Sequence, residues 1–173
     1  MGVGSATEAI MWQEWLTPVE ETLQQQIHEA LRSGGAAGQK IKNALHGTWM
    51  GHPLHLGLTG IPIGAWTAAV VFDVIDITTD RGRWGAAADG SLNLGIIGAL
   101  CAAVAGLTEW QDTDPPARRI GLLHGLLNIA GVRLSTGSVI ARKRKLRGLG
   151  RCLSALGYAV ASAATPHGRE YGL

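Results

Sequence analysis

A chain of 173 residues with 16% charged side chains, against about 25% in an ordinary soluble domain, and with 25 glycines set among its apolar runs has the composition of a membrane protein. Its formal net charge of +2 is too small, and its basic residues too bunched, to argue for nucleic acid as a partner. Cys101 and Cys152 show neither a CxxC pair nor metal-ligand spacing and are expected as small buried apolar side chains.

The first 45 residues read as an amphipathic helix and linker. Between positions 7 and 32, Ile10, Trp12, Trp15, Leu16, Val19, Leu23, Ile27 and Leu31 are interleaved among Glu and Gln, with Pro18 placed to kink or divide the helix. Its apolar face has three candidate neighbours: the membrane surface, a partner protein, or the end of the chain's own bundle. Ser33 to Gly38 is expected to be a flexible joint. Acidic Glu8, Glu14, Glu20 and Glu21 precede any long apolar run, so no cleavable signal peptide is expected.

Residues 46–173 predict an all-α membrane protein fold, an antiparallel bundle of four transmembrane helices at about 53–74, 91–107, 120–140 and 149–165. Polar punctuation separates the segments: 76–85, 109–119 with Pro115-Pro116, and the basic run 142–151. Trp49 and Trp110 at one interface and Trp84 at the other would form aromatic belts. Pro62 is expected to break the first segment, where Gly60 and Gly64 form a small-xxx-small pair suited to close helix crossing. Tracing four crossings gives eight Lys or Arg on the side of the 142–151 loop and six on the other. Positive-inside logic then puts that loop in the cytoplasm and both termini outside, in a multi-pass protein of the plasma membrane.

The same tracing gathers His46, His52, His55, His124 and His167 at the outer face. Pro53 suits a first helical turn, so His52 and His55 are expected three apart on one helix face. His124 and Asn128, four apart, share a face of the third segment. Imidazoles from two helices could ligate haem iron or a metal, so His52, His55 and His124 are candidate ligands for haem b or a transition metal. Arg118 and Arg119 at the adjoining interface would pair the propionates, with Asn128 beside the site. Against this stands the plainer role of an interfacial histidine, hydrogen-bonded to a carbonyl, Asn128 or Glu109 and fastening helices. Arg133, near the bilayer middle, is expected to form a structural ion pair with Asp73 or Asp89. No nucleophilic triad, phosphate loop or HExxH motif is present, which leaves hydrolytic and transferase chemistry without visible machinery.

The run His46-Gly47-Thr48-Trp49-Met50-Gly51-His52-Pro53-Leu54-His55 followed by Ile61-Pro62-Ile63-Gly64-Ala65-Trp66 resembles the bacterial membrane family called domain of unknown function 2231. Gly106-Leu107-Thr108-Glu109-Trp110, then Arg119, His124 and Asn128, resemble its later landmarks, over roughly residues 45–165. The resemblance implies a four-helix membrane domain, joined in some relatives to a Rieske iron-sulfur domain, and hence a link to electron transfer. Three functions follow as expectations. The first is a redox-associated protein binding haem b, with a Rieske-type partner. The second is an accessory subunit docking a partner, or a second copy, through its N-terminal and membrane helices. The third is an ion or proton path.

Overall fold

The computed structural model describes residues 14–79 and 82–164. Among them all regular structure is helical: a 3-10 turn at Glu14–Leu16, then α1 (Thr17–Ser33), α2 (Gly35–Leu45), α3 (Leu54–Thr79), α4 (Gly85–Trp110), α5 (Ala117–Lys143) and α6 (Arg147–Ala163).

Local chemistry sets the helix ends. Pro18 lies in the first turn of α1, where a backbone N–H has no helical partner to lose, so it opens the helix rather than dividing it. The expected joint at residues 33–38 is instead a tight corner. Gly35 takes a left-handed φ of +54°, and Gly38 lies so close to the Leu31 carbonyl that a Cβ would fall 1.9 Å from its oxygen. Pro62 does not break α3, which runs for 26 residues through it.

The expected segments 91–107 and 120–140 lie within α4 and α5, which extend beyond them at both ends; 53–74 begins one residue before α3, which runs on to Thr79, and α6 covers 149–163 of the fourth. By length and apolarity, α3 and α4 can each cross a membrane, at 26 residues apiece and about 39 Å of rise. α5 has the length, at 27 residues, but His124, Asn128 and Arg133 interrupt it, and α6 has only 17 residues.

Packing inverts the pattern of a water-soluble bundle. Ala65, Ala69, Ala88, Ala99, Ala102 and Ala105 are buried, while Leu56, Leu94, Ile97, Leu100 and Leu156 are each more than half exposed. In water that arrangement would forfeit the burial of large apolar side chains. In lipid it costs nothing, and small residues inside let helix backbones approach closely. Gly95 shows the approach: a Cβ there would come within 2.3 Å of the Trp66 ring. Gly60 and Gly64, expected at a close crossing, face open space within the chain. Cys101 and Cys152 are exposed rather than buried, on helix faces lined by large apolar neighbours.

The chain divides into two compact units. The first comprises the described residues up to His55 with Ala103–Leu123; the second comprises Leu56–Ala102 with the described residues from His124 onward. In the second, Trp66, Ala69, Leu92, Ala99 and Ala161 form an apolar core.

Candidate functional site

In the first unit the sequence motifs interlock. The run from His46 to His52 forms a tight loop in which Gly47 has φ +69° and would carry a Cβ only 2.3 Å from the His52 carbonyl oxygen. Only glycine fits there. This loop and the start of α3 meet Gly106, Thr108 and Glu109. Gly106 leaves room for the His55 ring, since a Cβ would sit 2.8 Å from Nδ1. The His46 ring nitrogen Nε2 lies 2.6 Å from the Thr108 carbonyl oxygen, to which it donates. Glu109 accepts the His55 backbone N–H at 3.1 Å, placing a carboxylate at the first turn of α3, where orphan N–H groups and the helix dipole favour it. Trp110 is buried and donates its indole N–H to the Arg118 carbonyl at 2.6 Å, so it is a strut and not a belt residue.

The two arginines expected at haem propionates hold α1 instead. Glu20 is 1% exposed. Arg119 Nε meets its carboxylate at 3.0 Å and Arg118 Nε at 3.4 Å, while Arg119 also donates to Thr17 Oγ1 and Arg118 to Gln24 Oε1. Gln24 in turn donates to the Trp110 and Thr113 carbonyls. The N-terminal helix is thus docked on its own chain, at residues 110–119, through a buried charge-assisted network.

The second unit holds an ionic clamp. Arg142, 8% exposed, donates through Nη1 to Asp73 Oδ1 at 3.0 Å and Asp89 Oδ1 at 2.8 Å, and through Nη2 to Asp73 Oδ2 and to Ser154 Oγ at 3.0 Å. Its Nε donates to Ser138 Oγ, which donates to the Gly150 carbonyl. Arg151 meets Asp76 at 2.7 Å and Arg147 meets Asp89 at 3.1 Å. Asp76 also accepts the Trp84 N–H ahead of α4. Three carboxylates and three guanidiniums therefore tie the end of α3, the start of α4, the end of α5 and the start of α6 into one neutral cluster.

The expected partner of Asp73 and Asp89 was Arg133; the partner found is Arg142. Residues 142–151, expected as one basic loop, belong mostly to helices: Arg142 and Lys143 end α5 and α6 starts at Arg147. A signal was present: Asp73 and Asp76 are three apart and Arg147 and Arg151 four apart, so each pair shares one helix face. Arg133 itself is exposed on α5 and makes no hydrogen bond or ion pair among the described residues.

The remaining candidate ligands are placed as follows. His52 precedes α3, outside the helix, so it does not share a helix face with His55; its ring is exposed, with Nδ1 at 3.3 Å from the Pro53 carbonyl oxygen. His55 belongs to the first unit and His124 to the second. His124 contacts the Ala164 carbonyl oxygen through Nδ1 at 2.8 Å and the Asn128 amide through Nε2 at 3.1 Å. With Nδ1–H donating to the Ala164 carbonyl, the ring's one free lone pair, on Nε2, accepts from the Asn128 amide. No group of three His, Cys, Asp or Glu able to hold a metal exists among the described residues. These residues do not fit haem ligated by His124 with propionates on Arg118 and Arg119. His167 lies outside the described residues.

A family model described as predicted membrane protein, DUF2231, matches residues 51–167. No curated protein and no solved structure matches the chain.

Proposed function

The chain belongs to the DUF2231 family of predicted membrane proteins, and from that premise we propose that it is a non-catalytic scaffold subunit of a larger complex in the plasma membrane. In this reading α3 to α6 cross the bilayer in alternating directions as an antiparallel four-helix bundle. The Asp73–Arg142 clamp lies at the cytoplasmic end, beside exposed Lys143, Arg144 and Lys145, and the α1–α2 segment lies outside. Even the shorter α6 spans with modest adjustment of the lipid.

One observation carries the reading: the polar groups that could perform chemistry are used to fasten helices. Arg142 is committed to Asp73 and Asp89, Arg119 to Glu20, His46 to Thr108 and His124 to Ala164 and Asn128. Buried ion pairs of this kind specify one arrangement of helices more than they stabilise it. A rigid bundle with a lipid-facing exterior suits a part that holds others in place.

The test is an absorption spectrum of the purified protein, oxidised and then reduced, with metal analysis of the same sample. No Soret band and no stoichiometric metal are expected. A Soret band abolished by His55→Ala or His124→Ala would overturn the scaffold reading in favour of a haem b electron-transfer protein.

A further inference from the structure

Arg133 is the exception to the pairing just described. It lies ten residues before Lys143, where α5 ends, or about 15 Å of helix rise. That is farther than an arginine side chain extends toward the headgroups at that end, and the start of α5 at Ala117 is more distant still. An exposed guanidinium at this depth is costly unless an anion meets it.

Its surroundings have the pattern of a helix-packing seam. Leu126, Ile129, Arg133, Thr136 and Ile140 are all exposed, and their spacing of three, four, three and four is the a/d repeat along which two helices interdigitate. Arg133 sits at its centre.

We propose that this face of α5 docks a membrane-spanning helix of a different protein, one carrying an aspartate or glutamate at the level of Arg133. Charge complementarity selects the partner. A symmetric contact between two copies would set Arg133 against Arg133, and Asp73, Asp76 and Asp89 are already engaged in the clamp. A polar residue at an a position also fixes the register of the pair, giving specificity that the flanking Leu and Ile lack. The inference rests on the scaffold reading, since it names the partner such a subunit would hold.

The experiment uses the full chain in its native membranes, with a photo-cross-linking amino acid in place of Ile129 and, as a control, of Val104 on α4. A cross-link from position 129 to a second membrane polypeptide is expected, with none to that polypeptide from position 104. Arg133→Glu should lower its yield at least about tenfold, Arg133→Lys should retain it, and changing the captured helix's carboxylate to lysine should restore it in the Arg133→Glu background. Folding of the Arg133 variants is checked by an unchanged denaturation midpoint. A product at twice the chain's own mass, adducts to lipid alone, a yield indifferent to Arg133→Glu, or failure of the charge swap would each overturn the proposal. A Soret band would instead sink the scaffold reading, whatever the cross-links show.

Discussion

Replacing Arg142 by alanine should be among the most damaging single substitutions in the second unit. The change deletes the guanidinium that donates to Asp73, Asp89, Ser138 and Ser154. Asp73, at 4% exposure, would keep only Arg151 Nε at 3.5 Å. Asp89, with a side chain 39% exposed, retains Arg147 and access to solvent, so its share of the loss is small. Leaving one buried charge without its partner costs roughly 3–5 kcal/mol. That corresponds to about a hundredfold to a few-thousandfold fall in the folded-to-unfolded ratio. Reversible unfolding by SDS in mixed micelles, followed by tryptophan fluorescence, measures it. Arg147→Gln is the control: its side chain is a third exposed and pairs with the more accessible Asp89, so about 1 kcal/mol or less is expected. Combining Arg142→Met with Asp73→Leu should recover most of the loss, because an apolar pair leaves no charge stranded. A cost below about 1 kcal/mol for Arg142→Ala, or a double variant as unstable as the sum of its single changes, would refute the clamp.

Two further outcomes follow from the contacts. Glu20→Gln weakens the buried carboxylate set between Arg118 and Arg119, so α1 should undock and limited proteolysis at residues 33–38 should accelerate; an unchanged cleavage rate would show that the network does not hold the helix. Gly95→Ala drives a Cβ to within 2.3 Å of the Trp66 ring and should destabilise by about 1–3 kcal/mol, whereas Gly60→Ala meets nothing within 4 Å and should be neutral or stabilising by up to about 1 kcal/mol in the same SDS titration. Equal effects at the two glycines would count against the close approach of α4 to Trp66.

Helical class and membrane character were legible in the sequence, because hydropathy, glycine content and Pro/Gly punctuation are local properties that sum along a segment. Each of the four apolar runs coincides with a helix, and two of those helices, α3 and α4, are long and apolar enough to cross a membrane. Their ends were misjudged for a reason: Asp73, Asp76, Arg142 and Arg147 look like the polar edges of segments until their charges cancel against one another, which lets the helices continue past the apolar runs. The histidine motifs were likewise visible as a pattern while their use was not. His46-Gly47 to His55 and Gly106 to Trp110 are far apart in the chain, and nothing in either run says that Gly106 makes room for the His55 ring or that Glu109 accepts the His55 N–H. The burial of Trp110, the exposure of Cys101 and Cys152, and the choice of Arg142 over Arg133 as the partner of Asp73 were decided in the same way. Each depends on which side chains meet across tens of residues, where a rotation of one helix by a single position exchanges a buried partner for an exposed one. Sequence alone determined that these helices form and that the chain has the composition of a membrane protein; only the tertiary structure decided which charges they share and left Arg133 facing outward.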